Sequence, residues 1–399
     1  MRKGELVNLI ESHVDKASGN KEVAYENVGR QLLENIQAKK VNVRRLSFKA
    51  IMEACLEEAG YPEVPWGESK SDATKLREAV SASSFPNITK YIISSEMIPP
   101  YEVRREKLEP LYSEGTSSRS DVERIAGFSS KEGVEYVAPQ GTVQYTDFHE
   151  KYAEVRLGKF QRAIGLSKEA IYNDNTGQLI SNAADIGDKF GQQFEQMLIQ
   201  TIEMRPRTLL PWETTSNLQT ANFDGTSVSN ANFYSTDHSA LAYMGRQTNS
   251  NKHTTALSTD GLLAAYILFP EMKDESGDKI VVEPKTILVH PYKLMIAWQL
   301  TKSISQYDTA NDAKNPWGPG GMATYKVIDS TFINTNTDWY FGDFKKQVKA
   351  LFWEQPNVIS QGKGSDQSFT NDIVMAWRFS AGFGFSHVDY RYICWGDVA

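Results

Sequence analysis

One passage constrains the fold of this chain more than any other: residues 155–205. It begins with VRLGKFQRAIGLSKEAIYNDNTG, which reads as extended chain, and passes directly into QLISNAADIGDKFGQQFEQMLIQTIEMR. In the second part Ala183, Ile186, Gly187, Phe190, Phe194, Met197 and Leu198 recur at helical spacing. Asn182, Asp185, Asp188, Lys189, Gln192, Gln193 and Gln196 fall on the opposite side. Apolar positions three and four apart, with polar ones between them, define an amphipathic helix that buries one stripe. At ~1.5 Å per residue it reaches roughly 35–40 Å, about the span of a domain. No cluster of catalytic residue types sits on it, so its expected role is architectural. Ala183, Ile186, Phe190, Phe194 and Leu198 are the expected buried contacts of this structural spine.

Upstream, residues 1–60 carry three short helical runs: Leu6, Ile10 and Val14; then Val28, Leu32, Leu33 and Ile36; then Phe48, Ile51, Met52, Cys55 and Leu56. The third stops at Gly60 and Pro62, and the turn-formers of 61–75 mark a linker. A basic cluster, Lys39, Lys40, Arg44, Arg45 and Lys49, reads as a solvated helix face. Residues 76–132 are broken by Pro86, Pro99, Pro100, Pro110 and Gly115, which predicts an arm of short pieces lying over something else. From 133 the pattern alternates through Val134, Tyr136 and Ala138, turns at Pro139-Gln140-Gly141, and resumes at Val143 and Tyr145. That predicts an extended hairpin over 133–165. Its charged flank offers Glu150, Lys151, Glu154, Arg156, Lys159 and Arg162 as candidate contacts to a neighbouring subunit.

Downstream, 206–256 reads as loop and short strands rich in Asn, Thr and Ser. A helix is expected from Ser258 or Thr259, with Leu262, Ala265, Tyr266 and Phe269 inward. A short buried strand follows over 286–290. Pro291 then suits the first turn of a helix whose inward face is Leu294, Ala297, Trp298 and Thr301. Further strands are expected at 326–333, 339–342 and 348–354. Near the C-terminus Ile373, Met375, Trp377, Phe379, Ala381, Phe383 and Phe385 alternate on odd positions, whereas Val388, Tyr390, Tyr392 and Cys394 continue on even ones. Side chains alternate strictly along a strand, so this phase change demands a bulge or bend. The class is α+β.

Several kinds of chemistry are disfavoured. A net charge of −7 provides no broad electrostatic grip on nucleic acid. Two distant cysteines, Cys55 and Cys394, read as thiols in a reducing cytoplasm rather than a disulfide framework. No signal-peptide pattern and no apolar run of ~18 residues is present, so a soluble protein without a membrane segment is expected. His238 beside Asp237, and His253 further on, match no metal-ligand spacing. The acidic stretch 274–278 lacks the alternating oxygens of a calcium loop and reads as a turn. The glycine-rich WGPGGM at 317–322 carries no phosphate-binding lysine, and neither GxSxG nor HExxH occurs. No cofactor, metal or catalytic residue is expected.

Three pieces, in this order and spacing, resemble the major capsid proteins of tailed bacteriophages with the Hong Kong 97-like fold, and within these the Mu-like major head subunits. They are LSKEAIYNDNTGQL (166–179) leading into the long helix; FYSTDHSALA (233–242) with VVEPKTILVHPYKLMIAWQLTKS (281–303); and DWYFGDF, VKALFWEQP and VMAWRFSAGFGFSHVDYRYICWGDV toward the C-terminus. The resemblance covers roughly 80–399, and 1–70 matches it poorly. It implies a helical N-terminal extension (1–75), an N-terminal arm (76–132), an extended hairpin loop (133–165), a peripheral domain (166–257 and 371–399) with the spine helix, and an axial domain (258–370). It further implies a non-enzymatic subunit, made in the bacterial cytoplasm, that assembles with itself as hexamers and pentamers into the icosahedral shell of a virion. Scaffold, portal and decoration proteins are further partners it allows, with packaged DNA against the inner face and no sequence-specific binding. In some relatives the N-terminal extension is a cleaved scaffold and subunits are crosslinked through lysine; Lys151 and Lys159 are hairpin lysines, but nothing singles them out. Two alternatives stand beside this reading: an encapsulin-type shell around a protein cargo and, more distantly, a soluble hydrolase using His238 and Asp237, or His253.

Overall fold

The computed structural model describes residues 85–128, 139, 150–167, 178–203, 221–223, 226–228, 233–236, 238, 249–273, 278–305, 314–321, 324–360 and 373–398, with short pieces between 27 and 57. In chain order these form helix α1 (Phe85–Leu108), strands β1 (Ser113–Thr116), β2 (Val122–Phe128), β3 (Glu150–Arg156) and β4 (Gly158–Ser167), and the long helix α2 (Gln178–Glu203). Next come β5 (Ala221–Phe223), β6 (Thr226–Val228), β7 (Lys252–His253), α3 (Thr259–Glu271), β8 (Thr286–Val289), α4 (Pro291–Lys302), β9 (Lys326–Asp329) and β10 (Trp339–Gly342). The short helix α5 (Phe344–Gln347) and strands β11 (Val348–Ser360), β12 (Ile373–His387) and β13 (Ile393–Gly396) complete the described elements. The mixture is α+β. The expected helices of 1–60 and strands around 134–145 lie largely or wholly outside the described residues, as do the turn at 274–277 and Asp237.

The chain divides into two compact units. The first takes residues up to 104, 159–192 and 354–382. In it α1 presents Ile92, Ile93, Met97 and Tyr101, all buried, at helical spacing. This differs from the expected arm of short pieces, because α1 runs through both Pro99 and Pro100. Each proline removes one amide donor from the ladder. Apolar burial on either side of the pair, at Met97 and Tyr101, favours the helix across that gap. The first part of α2 lies close against α1: a side chain at Gly187 would run into the backbone carbonyl of Met97. Arg104 clasps Asp188 beside this crossing, Nη2 to Oδ1 at 2.9 Å, and Gln192 donates to the other carboxylate oxygen at 2.6 Å. The rings of Tyr101 and Phe190 lie 6.1 and 4.4 Å from that of Phe379 on β12. Met375, Trp377, Phe379 and Ala381 are buried at alternate positions, as the sequence pattern demands.

The second unit takes 105–158, 193–353 and 383–399. Its largest sheet has the order β7-β13-β10-β8-β9, with β10 antiparallel to both β13 and β8, and β9 parallel to β8. One face carries α3 and α4: Leu262, Ala265 and Phe269 from α3 and Ala297 from α4 share a core with Ile287, Val289, Trp339, Phe341 and Cys394. The ends of these helices are set by local chemistry. Ser258 caps α3, its Oγ accepting from the amide of Gly261 at 3.0 Å, and Pro291 opens α4 behind the capping ring of His290. Trp298 corrects the expected inward face of α4. It is 56 % exposed, because it lies ~100° around the helix from buried Ala297. A second sheet, β2-β3-β5-β6, pairs β2 with β3 antiparallel, Val122 opposite Arg156 and Phe128 opposite Glu150. β1 runs parallel to the start of β11.

The phase change near the C-terminus is more than a bend. β12 ends at His387, five residues turn, and β13 begins in the other sheet between β7 and β10. Tyr392, on the last residue of that turn, receives a hydrogen bond at its carbonyl from the amide of Asp343, and its own amide donates to the side chain of Gln347 at 3.0 Å.

Candidate assembly surfaces

Helix α2 places the expected spine residues as follows. Ala183 and Phe190 are buried in the first unit, Phe194 and Leu198 in the second, and Ile186 is half-buried. Phe194 sits at the centre of an aromatic cluster: ring centroids of Phe385, Phe383, Tyr112 and Phe352 lie 4.9, 5.1, 5.6 and 6.1 Å away. Edge-to-face pairs of this kind add about 0.5–1.5 kcal/mol each beyond the area they bury. The polar side of the helix is not solvated throughout. Glu195 and Glu203 are buried; the first accepts from Ser330 Oγ at 2.7 Å and the second from the amide of Asn334 at 3.0 Å. The sequence signal for this was available: Met197, Leu198, Ile199 and Ile202 surround the last two turns with apolar side chains, all buried.

Beside the same stretch, His387 is wholly buried with Nε2 2.7 Å from the carbonyl of Thr201 and Nδ1 3.3 Å from Gln347 Nε2. A carbonyl can only accept, so Nε2 carries the proton and Nδ1 accepts: the ring is neutral. Burial pushes its pKa down from 6.5 to about 4. As pH falls through 6.5 the unfolded chain takes up the proton first. The stability this histidine contributes is therefore whole above 6.5 and is lost progressively down to about 4, by roughly 3 kcal/mol. His387→Gln should flatten that part of the profile, measured as denaturant midpoints at pH 7 and 4.5; equal acid sensitivity in both chains would dismiss the assignment.

The polar residues that the sequence offered for chemistry hold backbone in place. His238 Nε2 meets Asn251 Oδ1 at 2.9 Å and its ring lies against Tyr390, with centroids 4.3 Å apart. Asn251 in turn donates to the carbonyls of Phe233 and Tyr390, both at 3.0 Å. His253, on β7, accepts from the amide of Thr255 and stands edge-on to Trp339; burial lowers its pKa to about 4. Arg391 and Asp389 form a buried two-pronged pair, 2.7 Å at the shortest. Among the described residues no group of three or more His, Cys, Asp or Glu could hold a metal ion, and no helix is long and apolar enough to cross a membrane.

The hairpin charges fall on two strands. Glu150, Lys151, Glu154 and Arg156 belong to β3 in the second unit, whereas Lys159 and Arg162 belong to β4 in the first. By register Glu154 stands opposite Arg124 and Lys151 opposite Gly127. Lys159 reaches Glu354 at 3.3 Å, Ser380 donates to the same carboxyl group at 2.6 Å, and Arg162 is exposed. The paired arms are thus β2 and β3, and 129–138 and 140–149 between them lie outside the described residues.

The described histidines are thus committed to internal support. The chain belongs to the phage capsid protein family, which matches residues 151–396. Among solved structures it is similar to the capsid of a native GTA particle, at 11% identity and a TM-score of 0.48 over 73% of this chain and 90% of that one. It is also similar to the capsid of the Cyanophage P-SCSP1u (12%, 0.44, covering 73% and 88%) and to a structure from Gordonia phage Cozz (12%, 0.44, covering 73% and 86%). No curated protein matches the chain.

Proposed function

We propose that this chain is the major head protein of a tailed phage, of the Mu-like type with a Hong Kong 97-like fold, whose copies assemble as hexamers and pentamers into the icosahedral shell around the genome. The family match across more than half of the chain carries the reading. In it, 1–75 is an extension, 76–132 an arm, 133–165 the extended hairpin, 166–257 and 371–399 the peripheral domain with α2 as its spine, and 258–370 the axial domain. The role is structural, not catalytic. The protein is made in the host cytoplasm and resides in the virion, where scaffold, portal and decoration proteins and the packaged DNA are its other neighbours. A shell needs many identical weak contacts, since repeated engagement makes the closed container far more stable than any one interface. The acidic net charge of −7 suits an inner wall along which DNA must slide.

Negative-stain electron microscopy tests this directly. The full chain should give closed shells or capsomer rings. A chain lacking 133–149, which spares buried Val155 and Leu157, should stay folded and fail to close. A full-length protein that remains monomeric at every concentration overturns the shell role, and normal particles from the deletion overturn the role given to the hairpin.

A further inference from the structure

Helices α3 and α4 share one face of the five-stranded sheet but stand at its opposite edges: α3 packs on β7 and β13, α4 on β8 and β9. Their inner faces fill the core; their outer faces are unlike each other. On α3 the exposed stripe is Asp260, Leu263, Ile267 and Glu271, spaced three, four and four, so one line of the helix is apolar in the middle and acidic at both ends. On α4 the exposed stripe is Tyr292, Met295, Trp298 and Lys302, spaced three, three and four, so this line is apolar with a single charge at its C-terminal end. Tyr292 and Met295 are 77 % and 72 % exposed, and Ile304 just beyond the helix is 69 % exposed. Single exposed apolar residues are ordinary; a run of large ones along one helix marks a contact surface. Among the described residues, none of Asp260, Glu271 and Lys302 is in an ion pair.

We infer that these two stripes are the two halves of one interface between copies of the chain: the outer face of α3 on one copy seats against the outer face of α4 on the next. This rests on the shell reading above and names the surface that would close a capsomer. Charge selects the pairing. Asp260 and Glu271 close the two ends of the α3 stripe, ~17 Å apart along the helix, and Lys302 closes one end of the α4 stripe. Lys302 therefore meets one of the two acids whichever way the helices run. An α3–α3 pair would set acid against acid, which costs rather than stabilises, and an α4–α4 pair would leave Lys302 without the counter-charge that α3 supplies. Position selects the symmetry. Because the stripes occupy different edges, each copy offers α3 to one neighbour and α4 to the other, a head-to-tail contact that continues from copy to copy, closing into a ring where its rotation allows, instead of stopping at a dimer. The stripes are small, four or five side chains each, as suits a contact that is weak singly and counted many times in an assembly.

Cysteine pairing tests the geometry, since Cys55 and Cys394 are buried. Particles carrying Leu263→Cys alone or Met295→Cys alone should form no disulfide-linked dimer under mild oxidation. A co-assembled mixture of the two should form one, and the chain with both substitutions should give a ladder of linked oligomers. Charge supplies the second arm: Asp260→Lys with Glu271→Lys should cut the yield of rings or shells about tenfold or more. Adding Lys302→Glu to that chain should restore it in large part, which a merely misfolded variant would not allow. Self-crosslinking of Met295→Cys would replace the head-to-tail contact with a symmetric pair and overturn the inference. Particles that form without the mixed crosslink overturn it while the shell reading stands; a chain that forms neither particles nor crosslinks overturns both.

Discussion

Phe194→Ala should lower the unfolding free energy by about 3–5 kcal/mol, near the upper end for a single truncated core side chain. Phe194 is fully buried, and four aromatic rings from β12, β11 and the segment after α1 surround it within 6.1 Å. Removing the ring takes away its transfer free energy and leaves a cavity whose walls, held by sheet hydrogen bonds, collapse poorly. Urea denaturation followed by tryptophan fluorescence reads the effect. A loss under ~1 kcal/mol would mean that the cluster repacks and that α2 is not fixed there. Phe190→Asp belongs to the same test. It would bury a charge 4.4 Å from the ring of Phe379, and a normal melting curve for that variant would place Phe190 in solvent.

Gly187→Val should leave little or no folded protein, and even Gly187→Ala should destabilise by about 1–3 kcal/mol. Inside a helix the exchange of glycine for alanine ordinarily stabilises by about 1 kcal/mol. The sign reverses at Gly187 because the new methyl would meet the carbonyl of Met97, which is backbone and cannot step aside. Gly191 is the internal control. A Cβ there lies 2.8 Å from Cδ of Arg104, a flexible side chain that can give way, so Gly191→Ala should be near neutral or mildly stabilising. Comparable thermal shifts for the two alanine variants would remove the close crossing of α1 and α2 as the cause.

Helix α2 was legible because its pattern is long and its apolar positions keep the helical period, and α3 and α4 because Ser258 and Pro291 announce their starts. Helix α1 was obscured by Pro86, Pro99 and Pro100, although Ile93, Met97, Tyr101 and Leu108 sit at spacings of four, four and seven. The local cost of proline is plain in a sequence, whereas the tertiary burial that outweighs it is not. The passage from β12 to β13 was visible as a change of phase, but an alternating strand reads the same in either sheet, so the change of sheet was not. Trp298 was misplaced for a related reason: large apolar side chains look alike in sequence whether they fill a core or await a partner. The hairpin charges could be named one by one, yet their division between β3 and β4 needed the backbone.

The position of β13 bears on timing. It is an interior strand of the five-stranded sheet, and its partners were synthesised long before it: Trp395 stands opposite Lys252, Phe341 opposite Cys394. While that slot is empty, β7 and β10 cannot be joined and α3 lacks part of its floor. Contacts so distant along the chain form late and slowly. A nascent chain emerging from the ribosome thus carries α3 before it carries the strand that completes the surface under it. Until β13 is in place, β7 and β10 present open edges, and open edges are where identical chains crowded on a polysome join one another wrongly.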